Sequence, residues 1–171
     1  IRPSPRSPTP VTISITRQVL GWVSPREPGL FELGRLPVFA IERDRSSLYY
    51  GFPTGPHDRG FKIALHGRGM ITDPDRVSRE ATAADEAEWR AGIRGHFPRA
   101  DGPTLAQAVC MYDNSPDGHF ILDRHPDHEN VVIGCGFSGH GFKFAPVIGE
   151  ILSDLSTHGT TTLPAGFLGL K

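Results

Sequence analysis

Residues 130–155 read NVVIGCGFSGHGFKFAPVIGEILSDL, and this stretch decides how the rest of the chain is read. Val131, Val132 and Ile133 form a short β-branched run, the pattern of a buried strand. Gly134, Gly136, Gly139 and Gly141 then crowd into a turn. Beyond it Phe144, Val147, Ile148, Ile151, Leu152 and Leu155 recur at helical spacing, which commits one face of a helix to a core. Pro146 has no backbone donor and suits only a first helical turn, so the regular helix is expected to begin near Ala145. Ser138 to Lys143 then offers backbone N–H groups and a helix N-terminus to an anionic or electron-rich ligand. The strand and the helix both need cover, so the isolated chain is expected to expose an apolar patch around Val131, Ile133 and the helix.

Upstream, Val11 to Val23 alternates apolar and polar residues as a strand does, and Ser24 to Gly34 carries the prolines and glycine of a loop. Pro37 to Glu42 and Ser47 to Phe52 read as further strands around the charged turn Arg43, Asp44, Arg45, and Phe61 to His66 alternates again. Four strands joined by short turns predict an antiparallel sheet. From Thr82 to Phe97 the composition turns to Ala, Glu and Arg with Trp89, Ile93 and Phe97 at loosely helical spacing, and Pro98 closes that helix. Thr104 to Tyr112 reads as a strand, Asn114 to Gly118 as a strong turn, and His119 to Asp123 as the returning arm of a hairpin. The fold class expected is therefore α+β: an antiparallel sheet with flanking helices, followed by a C-terminal strand, turn and helix.

Net charge is −1, with 37% hydrophobic and 22% charged residues. This is the balance of an ordinary globular protein, without the basic field that nucleic acid or an anionic membrane would call for. No apolar run reaches the roughly 18 to 20 residues of a membrane span, and the N-terminus lacks the apolar core of a signal peptide. A cytoplasmic location is expected, with Cys110 and Cys135 reduced. Ile1 to Pro10 holds four prolines and is expected to be a flexible arm or severed linker, and a chain beginning with Ile1 is expected to be a piece of something longer.

Gly134, Gly136 and Gly139 spell G-x-G-x-x-G between a strand and a helix. A stand-alone nucleotide-binding domain built there would need a second strand and an acidic residue about 20 residues on, where this chain instead has the polar loop Thr157 to Thr162.

Three segments carry a more specific pattern: GFSGHGFKF at 136–144, CMYDNSPDGHFILDRHP at 110–126, and YYGFP with GFKIALH within 49–66. Together, in their order along the chain, they resemble the monomeric sarcosine oxidase and N-methyltryptophan oxidase family, FAD-dependent amine oxidases of the D-amino-acid-oxidase superfamily. The resemblance runs from about Thr16 to Leu155 and implies the C-terminal part of a longer oxidase. It divides the chain into residues 11–103, a portion of the substrate domain, and residues 104–171, a segment that returns to the FAD-binding domain. The dinucleotide-binding N-terminal domain would be a missing partner, and the 171-residue chain alone is expected to be inactive. The implied chemistry is oxidation of a secondary amino acid such as sarcosine to an imine, with dioxygen reduced to hydrogen peroxide. The alternative is a truncated, non-catalytic module that binds no flavin alone.

By the same resemblance, Cys110 matches the cysteine joined through sulfur to FAD, a role a deprotonated thiol can fill. Lys62 matches the lysine that assists dioxygen, and Lys143 one that holds the substrate carboxylate beside the cofactor. The chain has only one other lysine, Lys171, so surface charge here is carried by arginine and neither placement is generic. His66, an even number of residues after Lys62, shares its strand face and is a catalytic candidate. Tyr50 and Tyr112 match cavity tyrosines, while Gly139, His140 and Gly141 would lie by the cofactor. His119, His125 and His128 lack any partner with metal-ligand spacing, and no metal is expected.

Overall fold

The computed structural model describes residues 11–67 and 69–170, and the arm read at residues 1–10 lies outside them. The chain forms two compact units, residues 16–111 and residues 112–170 together with 11–15.

The first unit is a sheet with a helix on one face. Strands β1 (Ser14–Val23), β2 (Phe39–Asp44), β3 (Ser47–Phe52), β4 (Phe61–His66) and the short β5 (Met70–Ile71) run in the order β2-β3-β4-β1-β5, all neighbours antiparallel. A sixth strand, β6 (Thr104–Asn114), pairs with β1. Strand β2 starts later than its apolar run predicts, and it runs on to Asp44, whose carboxylate accepts from Ser46 N at 2.8 Å and Ser47 Oγ at 2.7 Å and so closes the turn.

Helix α1 (Ala83–His96) begins at a reciprocal cap, with Asp85 N donating to Thr82 Oγ1 at 3.2 Å and Thr82 N donating to Asp85 Oδ2 at 2.7 Å. It ends at Phe97, held out of the helix by the following Pro98. Trp89 and Ile93 pack on Val23, Tyr49, Phe61 and Ile63 to form the core of this unit. The helix lies close over β1 because Gly21 has no side chain: a Cβ there would come within 2.4 Å of the Trp89 ring.

Arg17, on the helix-facing side of β1, reaches the same Asp85 at 2.7 Å and 3.0 Å. Its side chain is 9% exposed and that of Asp85 17%. The hydrogen bond from Arg17, with those from Thr82, pulls the Asp85 carboxyl from 3.8 to about 2. A carboxyl depressed by folding stabilises the fold above its ordinary value, and that stabilisation is lost as pH falls from 3.8 through about 2. Asp85→Asn is therefore expected to cost about 1–3 kcal/mol near neutral pH. The gap between variant and parent should narrow only below about pH 4, as followed by chemical unfolding at a series of pH values. A gap constant down to pH ~2 would remove the ion pair from the account.

In the second unit, β7 (Ile121–Arg124) pairs antiparallel with β8 (Val132–Cys135), in register from Ile121 opposite Cys135 to Arg124 opposite Val132. This corrects the hairpin expected between Thr104–Tyr112 and His119–Asp123, since Thr104–Asn114 pairs with β1 instead. The physical reason is burial. Phe120 and Leu122 pack with Ile151 of helix α2 (Ala145–His158) and with Ala165, a cluster completed by Ile148, Leu152 and Leu155. The helix starts where Pro146 allows and stops at Gly159, whose φ of 74° makes a left-handed cap. Val131, just before β8, and Phe142, Phe144 and Val147 around the start of α2 are exposed, Phe142 at 96%, whereas Ile133, expected in the same patch, is half-buried. No helix of the described residues is long and apolar enough to cross a membrane.

Candidate functional site

Strand register places the candidates of the first unit. Lys62 lies opposite Trp22 of β1 on one side and Phe52 of β3 on the other, and Ala64 lies between Leu20 and Tyr50 in the same way. Residues two apart on a strand share a face, so Tyr50, Phe52, Lys62, His66 and Trp22 all stand on the side away from α1, while Phe61 and Ile63 enter the core. The Tyr50 and His66 rings meet edge to face with centroids 6.4 Å apart. The Lys62 ammonium lies 5.0 Å from the Phe52 ring centroid and 5.6 Å from that of Trp22. Among the described residues no carboxylate pairs with it, so its charge is held by ring faces rather than cancelled.

Cys110, on β6, is a half-buried free thiol. Burial pushes the thiol up, and the positive charges of Lys62 and Arg79 act against that rise. The start of β6 is anchored to α1: Thr104 Oγ1 donates to Glu86 Oε1 at 2.6 Å, Arg90 bridges Glu86 and Asp101, and Trp89 Nε1 donates to Gln107 Oε1 at 3.3 Å. The first half of the strand is thus tied to α1 through Thr104 and Gln107, which helps fix the height of Cys110 on the sheet.

In the second unit the glycine turn is built on an acid that sequence reading passed over. Gly136 N donates to Asp113 Oδ2 at 2.8 Å, and Ser138 N donates to the Asp113 carbonyl at 2.9 Å. Gly136, Ser138 and Gly139 take positive φ of 69°, 51° and 73°. Ser138 affords this because its hydroxyl donates to Gly136 O at 3.0 Å and accepts from Ser115 N at 3.3 Å. Gly139 has no such freedom to lose: a Cβ would sit 2.5 Å from the Tyr112 ring. Among the described residues the N–H groups of Gly139 and Gly141 find no backbone acceptor, which leaves two donors on the turn for a ligand.

His140 is fixed rather than open, its Nε2 at 3.2 Å from Gly118 O and its ring 4.9 Å from that of Phe120. The Lys143 ammonium donates to His140 O at 3.0 Å and lies 5.2 Å from the Phe144 ring centroid, with protons left over for a further acceptor. The candidates thus fall into two groups. Tyr50, Lys62, His66 and Cys110 belong to residues 16–111, and Tyr112, Gly139, His140, Gly141 and Lys143 to residues 112–170. Trp22, Phe52 and Asp113 were not anticipated. The alternation of β1 and β3 could have found the two aromatics, whereas nothing in the sequence marks Asp113 as the anchor of a turn 23 residues away. Among the described residues no three potential metal ligands come together.

Residues 5–155 match the family model described as FAD dependent oxidoreductase (DAO). The chain is similar to a monomeric sarcosine oxidase from Streptomyces avermitilis, 40% identical over 160 residues, covering 91% of this chain and 41% of the relative. It is also similar to an N-methyl-L-tryptophan oxidase from Salmonella arizonae, 40% identical over 147 residues, covering 84% of this chain and 38% of the relative. Among solved structures, the fructosyl amine:oxygen oxidoreductase (Amadoriase I) from Aspergillus fumigatus superposes with a TM-score of 0.74 at 21% identity, over 93% of this chain and 38% of that one. The chain therefore spans about two fifths of the length of the curated relatives it matches.

Proposed function

The chain belongs to the FAD dependent oxidoreductase family, and from that premise we propose that it is the C-terminal part of an amine oxidase. Its substrate would be a secondary, N-methyl amino acid such as sarcosine, converted to an imine while dioxygen is reduced to hydrogen peroxide. The observation that carries the reading is the row of Tyr50, Lys62 and His66 on the sheet face turned away from α1, fixed there by strand register.

The residues present fit the cofactor. Two open N–H donors at Gly139 and Gly141 suit an electron-rich ring edge, and Cys110 is a free thiol with positive charge nearby. FAD, when bound, accepts the electrons of the C–N unit and passes them to dioxygen. The protein positions and charges. Residues 16–111 would contribute Cys110, holding the cofactor through sulfur, Lys62 as a fixed cation, and His66 and Tyr50 at the substrate. Residues 112–170 would contribute the Gly139–His140–Gly141 turn to the cofactor, and Tyr112 and Lys143 to the substrate. Lys143 keeps its ammonium anchored at one proton, so a substrate carboxylate would meet a cation already oriented.

The test is the attachment itself. In the intact protein Cys110→Ser is expected to release FAD into the supernatant on acid precipitation, while the parent keeps its yellow colour in the pellet. Flavin extractable from the parent would end the assignment of Cys110.

A further inference from the structure

We propose that Trp22 and Phe52 are positioning residues for Lys62, a pair of ring faces that hold its ammonium in one place without neutralising it. The inference rests on the reading of Lys62 as the cation that assists dioxygen, and goes beyond it by naming what fixes that cation.

A lysine side chain has four rotatable bonds and on a strand would ordinarily sweep a wide arc or settle against a carboxylate. Here, among the described residues, no carboxylate pairs with the ammonium and two aromatic rings stand beside it. Trp22 and Phe52 are the two direct cross-strand partners of Lys62, one on each neighbouring strand, so the stem is flanked on both sides along the sheet. Both ring centroids lie within 6 Å of the ammonium, at 5.6 Å and 5.0 Å, inside the range where the negative face of an aromatic ring attracts a cation. The Arg59 guanidinium stands 5.8 Å from the same Trp22 ring, a second positive group that discourages the lysine from swinging past the indole. A carboxylate in place of either ring would fix the lysine equally well, but it would cancel most of the field the lysine can exert on a developing negative charge. Ring faces bind the cation through a quadrupole and leave its net charge intact. The arrangement therefore suits a lysine whose task is to present charge at a fixed point.

The test combines a spectroscopic and a kinetic readout on the intact protein. Reductive ¹³C-methylation keeps lysine cationic and gives one resonance per site, with that of Lys62 assigned by its loss in Lys62→Met. Ring currents should displace this resonance upfield in the parent. Trp22→Leu and Phe52→Leu should each move it back toward the free-lysine position, while Trp22→Phe and Phe52→Tyr keep it displaced. In the same leucine variants reoxidation by dioxygen should slow about three- to tenfold, with anaerobic reduction by sarcosine changing less and the aromatic variants restoring the parent rate. An undisplaced parent resonance, or leucine variants that reoxidise as the parent does although Lys62→Met is slow, would overturn the proposal. If the resonance moves as expected but Lys62→Met reoxidises at the parent rate, the bracket stands and the oxygen role of Lys62 fails. If Lys62→Met is slow and the leucine variants are not, the oxygen role stands and the positioning role falls.

Discussion

Lys62→Met is expected to slow reoxidation of the reduced protein by dioxygen by about two to three orders of magnitude, while anaerobic reduction by substrate changes much less. Methionine matches the length of lysine and removes only the charge and its protons, so the aromatic partners Trp22 and Phe52 keep an apolar stem to pack on. On the proposed reading, what is lost is a fixed cation where dioxygen would take on negative charge. A single preorganised electrostatic group is worth about 3–4 kcal/mol, and each 1.36 kcal/mol is about a factor of ten in rate. The substrate half-reaction develops no such anion, which is why the two halves should separate. Rapid-mixing measurements of each half-reaction check this. Equal slowing of both would make Lys62 a structural lysine, and its position between two rings would then be a packing device.

The outline of the first unit was legible because its strands are bounded by turn residues and those at Val11–Val23 and Phe61–His66 alternate. SLYYGF and FKIALH keep in the structure the limits read from sequence, although in SLYYGF it is Ser47, Tyr49 and Gly51 that face the helix, with the apolar Leu48 and Phe52 turned away. The same alternation placed Lys62 and His66 on one face, since that inference needs only a period of two. What the sequence could not show was pairing across distance. His119 to Asp123 follows a strong turn and was read as the partner of the strand before it. Its real partner is chosen by Phe120 and Leu122 finding Ile151, some 30 residues on, which no local pattern contains. Asp113 was missed for the same reason. A carboxylate in a polar turn looks solvated until the backbone it binds, at Gly136, is brought to it. The aromatic neighbours of Lys62 likewise emerge only once β1, β3 and β4 are in register.

Gly139→Ala is expected to destabilise the protein by about 2–5 kcal/mol, the second large effect. Two separate costs add. Gly139 stands at φ 73°, where an L side chain costs about 1–2 kcal/mol. Its new Cβ would also fall 2.5 Å from the Tyr112 ring, and forcing a packed ring aside costs about 1–3 kcal/mol more. The first cost belongs to the backbone and cannot be relieved, whereas the second depends on Tyr112 being there. Tyr112→Ala should therefore cost less in the Gly139→Ala background than in the parent, because the steric conflict disappears with the ring. The double-mutant cycle, measured by chemical unfolding, should show a coupling of about 1–3 kcal/mol. The clash also pushes Tyr112, a candidate for the substrate cavity, away from its present position, so Gly139→Ala should raise KM for substrate well before it abolishes folding. Strict additivity of the two substitutions would mean that the turn shifts as a body and leaves Tyr112 in place. The glycine would then serve the backbone alone.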